Sequence, residues 1–141
     1  MKELVTSLLI WIALQIGGEP PAAPEIRMLP EQELAERFFG GRPPADASHV
    51  CGLYHAASMT IYLPESWCAD RPLDRSSLLH ELVHHVQKVR ALPYPCPAAR
   101  ERLAYDLQVR WLQENGVADP YALINIDKFT IAVYSMCPPS D

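Results

Sequence analysis

Fourteen prolines among 141 residues set the first limits on this chain. Each fixes φ at about −65° and removes a backbone donor, so it can open a helix or end a strand but not sit inside either. Short helices separated by long irregular connections are therefore expected. The apolar fraction of 49% is ordinary for a globular protein and too high for a disordered one. At this length one domain is expected and two are not. A formal net charge of −5 without a Lys/Arg cluster excludes nucleic acid as the main partner.

Lys2 precedes an apolar run over residues 4–16, followed by Gly17, Gly18 and a proline-rich stretch to Pro24. That order resembles a secretory leader. Residues 1–18 are expected to be one, with 19–29 a proline-rich linker and 30–141 a single domain. A buried first helix and a membrane anchor are the other readings. About 13 apolar residues fall short of the ~20 that a spanning helix needs, so no stable membrane insertion is expected once a leader is removed. Cys51, Cys68, Cys96 and Cys137 form no CxxC pair, which removes zinc-ribbon and thioredoxin-like readings. An even count behind an export signal favours two disulfides, Cys51–Cys68 and Cys96–Cys137, and a secreted or periplasmic location. Four buried free thiols in a cytoplasmic protein are the alternative.

Pro30 opens a helix that Gly40 and Gly41 stop after Phe39, and a loop follows over 40–48. Strands are expected over 49–54 and 59–63, then a helix over 75–90 capped by Asp74. A second long helix runs from Pro97 to Asn115, with Gly116 past its end, and a shorter one runs from Pro120 to about residue 126. The apolar stretch 129–136 has no firm assignment, and the tail over 138–141 is short. Trp67, Trp111 and Phe129 are expected in the core, and His49 and His55 at the surface.

His80-Glu81-Leu82-Val83-His84 lies inside the 75–90 helix. Residues i and i+4 stand on one helical face, so two imidazoles there can share a zinc ion. Glu81 is rotated by about 100° from His80, where it can hold a water and take its proton. A catalytic zinc site needs a third protein ligand and one open position. No histidine follows His85, so the third ligand must be an acid. Glu101, Asp106, Glu114 and Asp119 are available downstream. Two antiparallel helices joined by the proline-rich loop would set Glu101 opposite His80 and His84; Asp106 and Glu114 are the main alternatives. Ala104 would let the helices approach, and Tyr105 and Gln108 share the face of Glu101.

An HExxH helix followed by a ligand-bearing Glu on the next helix resembles the gluzincin branch of the zincin metallopeptidases. The run Glu101-Arg102-Leu103-Ala104-Tyr105 resembles small bacterial zincin-like proteins, many of them in families of unknown function, and the likeness covers about residues 60–112. The resemblance implies an α+β fold, with the HExxH helix packed on a second ligand-bearing helix and on a small β-hairpin or sheet. It implies Zn2+ on His80, His84 and Glu101, and Glu81 as the catalytic base. It further implies that the 59–63 strand is an edge along which a peptide or protein substrate lies. Tyr105 is the first candidate for stabilising the developing oxyanion and His85 the second. The expected activity is zinc-dependent hydrolysis of peptides. The alternatives are a zinc-binding but non-catalytic extracytoplasmic domain, and an interaction module with a chance HExxH.

Overall fold

The computed structural model describes residues 1–45 and 49–139. Part of the expected 40–48 loop and the end of the tail thus lie outside the described residues. Among the described residues, six helices and three strands follow one another in the order α1 (Lys2–Ile16), β1 (Glu25–Leu29), α2 (Glu31–Phe39), β2 (Leu53–His55), β3 (Thr60–Pro64), α3 (Pro72–Val89), α4 (Glu101–Glu114), α5 (Pro120–Ile124) and α6 (Lys128–Tyr134). A 3-10 turn over Pro97–Arg100 leads into α4. The class is α+β, as expected. The prolines do not shorten the principal helices, because they fall at element boundaries. Pro72, Pro97 and Pro120 open helical turns, Pro30 precedes α2 and Pro64 ends β3. Between them α3 extends over 18 residues and α4 over 14.

The sheet has the order β1-β3-β2. β1 runs parallel to β3, from Glu25 opposite Thr60 to Leu29 opposite Pro64, and β2 pairs antiparallel, with Tyr54 opposite Ile61. Alternation along β3 sends Ile61 and Leu63 into the main core, while Tyr62 turns to the other face. There the Arg37 guanidinium of α2 lies 4.7 Å from its ring centre. Helix α3 covers the core face and is buried on nearly every side, with Leu78, Leu79, Leu82 and Val83 all at 0% exposure.

Four expectations about the first half change here. Residues 25–29, placed within a linker, form β1. β3 is therefore the central strand rather than an edge, and the edges are β1 and β2. The 49–54 strand shrinks to three paired residues because the chain before Leu53 leaves the sheet and crosses α3. Gly52 permits that crossing: a Cβ there would sit 3.2 Å from Cγ of Glu81 and 3.4 Å from Cδ2 of Leu63. Helix α3 begins three residues earlier than expected, at Pro72, so Asp74 lies inside its first turn. Its carboxylate accepts from the Cys68 N–H and from Arg71 instead of capping the helix.

The segment expected to be a leader is docked. Val5, Leu8, Leu9 and Ile12 of α1 join the same core cluster as Leu78, Leu82 and Leu112. Burial of each such side chain contributes roughly 1.5–3 kcal/mol. Beyond α1, Gly17 and Gly18 both have positive φ, 86° and 81°, and turn the chain back toward α3. Arg90 donates to the carbonyls of Gly17 (2.7 Å) and Glu19 (3.2 Å), and His85 Nε2 donates to that of Ala22 (2.8 Å). Residues 17–22 are thus strapped along α3. Among the described residues no helix is long and apolar enough to cross a membrane.

The second half differs in smaller ways. Asp119 and Asp127 cap α5 and α6, accepting from the N–H groups of Ala122 and Thr130. The unassigned 129–136 stretch is largely α6. Trp111 is buried in the core, whereas Phe129 is 77% exposed, since α6 is short and turns its outer face to solvent. Cys96 and Cys137 are bonded as expected. Cys51 and Cys68 are free, half-buried thiols. Cys51 precedes the paired residues of β2 and faces Ser77 of α3, and Cys68 lies past β3 in the turn that Asp74 holds, so the hairpin does not clip them together.

Candidate metal centre

Helices α3 and α4 run antiparallel, as their side-chain bonds require. Advancing from Ser76 through His80 to Gln87 on one, the partners retreat from Gln108 to Arg100 on the other. Ala104, fully buried at the crossing, keeps the helices close. One turn before it, Glu101 projects between the two histidines. His80 Nε2 lies 3.1 Å from one carboxylate oxygen and His84 Nε2 2.9 Å from the other. These three residues each offer a ligand atom within 4.8 Å of the other two. Two imidazole nitrogens and one carboxylate form a donor set suited to a tetrahedral divalent ion with one position left open. The group expected from the spacing is thus brought together, and its residues can hold a metal.

Electrostatics of the group reflect the same proximity. Burial opposes charge on His84, but the Glu101 carboxylate bonded to Nε2, with Glu81 nearby, outweighs it and lifts the pKa to about 9. Burial alone would raise Glu101, yet its bonds to His80 and His84 hold it far below the usual carboxylate range. A metal ion would take the place of the protons that these contacts now share.

His80, His84 and Glu101 line a cleft of about 1200 Å³. Glu81 and Tyr105 line it as expected. The Tyr105 ring packs edge-on against His80, with ring centres 4.5 Å apart. Burial, and then the charges of Glu101 and Glu81, push its phenol above the ordinary value, so it remains a proton donor at neutral pH. Cys51 also lines the cleft. Its thiol is raised chiefly by burial, with the Ser77 hydrogen bond opposing, and stays protonated rather than nucleophilic. Phe38 and Phe39 at the end of α2 form one wall, and Tyr121, Ile124 and Tyr134 from α5 and α6 form the other.

Several candidates lie elsewhere. Asp106 is exposed and paired with Arg102 at 3.6 Å. Glu114 is exposed at the far end of α4, and Asp119, which caps α5, lines the cleft but stands outside the group of His80, His84 and Glu101. His85, considered for the oxyanion, points away from the cleft because one helical step rotates it off the face of His84. It is held between Ala22 and the Tyr54 hydroxyl, which lies 2.9 Å from its Nδ1. His55 is exposed, and His49 stands at the cleft mouth near Glu31. Gln87 was not foreseen. It is 3% exposed, and its carbonyl oxygen lies 2.8 Å from His84 Nδ1. Its position three residues after His84, on the same helical face, is the signal that could have found it.

A family model matches the chain over residues 1–141. The chain belongs to this family. Its description is Domain of unknown function (DUF6647). The matched span includes α1 as well as the metal group, so the leader-like helix and the HExxH helix fall within one family domain. No curated protein and no solved structure matches the chain.

Proposed function

We propose that this chain is a zinc-dependent hydrolase of the zincin type, acting on peptides. The observation that carries the reading is the meeting of His80, His84 and Glu101 in a cleft that Glu81 and Tyr105 also line. Zinc held there would supply a Lewis acid for the scissile carbonyl and lower the pKa of its water toward about 7. Glu81 takes the proton of the attacking water and delivers it to the leaving nitrogen. Tyr105, kept protonated, donates to the oxyanion as charge develops. The open edge of β2 borders the cleft through Leu53 and Tyr54, and an extended peptide can pair with it. The Cys96–Cys137 bond supports a secreted or periplasmic location.

Elemental analysis and a peptide-library assay test this together. One zinc per chain is expected in the native protein and none in His84→Ala. Glu81→Gln is expected to retain the zinc and lose about 10²–10⁴ of the turnover. Full activity in Glu81→Gln would end the mechanism. Stoichiometric zinc with no cleavage by the native chain would leave a metal-binding domain in place of an enzyme.

A further inference from the structure

Two buried glutamines stand behind the ligand histidines. Gln108, 4% exposed, places its carbonyl oxygen 2.9 Å from His80 Nδ1, and Gln87, 3% exposed, does the same for His84 at 2.8 Å. Their amides are not free to turn over. The Gln87 NH2 donates at 3.0 Å to the carbonyl of Arg100, which can only accept, and at 3.0 Å to the Tyr94 hydroxyl. The Gln108 NH2 donates at 3.1 Å to Ser76, whose single hydroxyl proton is already given to the carbonyl of Leu73. Each carbonyl oxygen must therefore face its histidine, and each Nδ1 must carry the proton. Once the Nε2 protons now shared with Glu101 are given up, the Nε2 lone pairs are left facing that carboxylate's side of the cleft, where an ion would sit.

We propose that Gln87 and Gln108 are positioning residues that set the tautomer and orientation of both ligand histidines. Gln87 additionally fixes the separation of His84 from Glu101. This inference rests on the metal reading above. An amide is suited to the second task because it accepts on one side and donates on the other. Gln87 joins His84 to the carbonyl of the residue immediately before Glu101, and through Tyr94 it takes in the loop between the helices. Both partners are uncharged, so they orient the imidazoles without adding a negative charge to the centre. The net charge of a divalent ion with these three ligands would stay at +1, which strengthens it as a Lewis acid.

Zinc affinity of the full chain, measured by competition with a chromophoric chelator, tests the idea without reference to turnover. Gln108→Met and Gln87→Met fill similar space but cannot accept from Nδ1, and each is expected to weaken zinc by 10–100-fold. Gln108→Glu restores the acceptor, because Ser76 can rotate to donate to it, and is expected to bind within a few-fold of the native chain or tighter. In Gln87→Glu the acceptor is restored but the bond to Arg100 is not, so recovery is expected to be incomplete. Melting of the zinc-free proteins accompanies each titration. Native affinity in both Met variants would overturn the proposal, as would equal weakening in Gln108→Met and Gln108→Glu. Losses that merely follow reduced stability of the zinc-free chain would overturn it too. Failure of the native chain to bind stoichiometric zinc would sink the metal reading itself, and is seen in the first titration before any variant is made.

Discussion

The α3–α4 pair and the α5–α6 arm face each other across one cleft, yet they are built on opposite terms. In the pair, the two glutamines bonded to His80 and His84 are themselves held by further hydrogen bonds. The arm consists of helices of five and seven residues, each started by an aspartate cap, with Phe129, Val133 and Met136 open to solvent. What keeps it in place at its end is the covalent tie from Cys137 to Cys96, five residues before Glu101. Under the proposed function, chemistry that needs fixed atoms would fall on the sealed side, and a substrate would meet the side with fewer restraints.

Breaking the covalent tie is the largest test of that contrast. Closing a loop with a sequence separation of 41 is worth about 4 kcal/mol on chain-entropy grounds, so Cys137→Ser should lose up to that amount in urea unfolding. Zinc affinity should survive in the folded variant, and its loss would mean that the arm and the metal centre are one unit. On the sealed side, Leu82→Ala removes a fully buried side chain from α3 and should cost about 2–5 kcal/mol. Tyr105→Phe is expected to keep both zinc and stability while lowering turnover on the order of 10²-fold.

Proton competition gives a smaller and graded effect. The pKa of His84 is raised, from 6.5 to about 9, so its pairing with Glu101 stabilises the zinc-free fold fully below about 6.5 and is lost as pH rises through 9. Zinc must displace that proton. Apparent affinity should therefore climb by about tenfold per pH unit between 7 and 9 in chelator competition, and a flat profile would show the site already deprotonated. Smallest of all, Phe129→Ala on the outer face of α6 should change stability by no more than about 0.5 kcal/mol. A larger loss would mean that the arm is better packed than its exposure indicates.

The features legible in the residues were those that depend on local spacing. His80, Glu81 and His84 follow from the helical repeat, and Glu101 follows from a connection short enough to force the next helix back alongside. The disulfide to the tail was also within reach. What escaped required knowing a distant neighbour. Residues 25–29 pair with 60–64, and nothing in Glu-Ile-Arg-Met-Leu after a proline-rich stretch announces that partner. The displaced start of β2 depends on Glu81 lying beneath Gly52, and the duty of Gln87 depends on a carbonyl in the following helix. Phe129 is expected inside because its apolar character is visible in the residues, while the short helix that turns it to solvent is not.

Helix α1 is made before the elements it packs on: the side chains that join Val5, Leu8, Leu9 and Ile12 in the core come from α3 and α4, some sixty to a hundred residues later. During synthesis it is a bare greasy rod waiting for its socket. Such long-range closure slows folding and lengthens the interval in which nascent chains stick to one another or to a chaperone. The stretch whose apolar run resembles a leader is, in the finished fold, a keystone of the core.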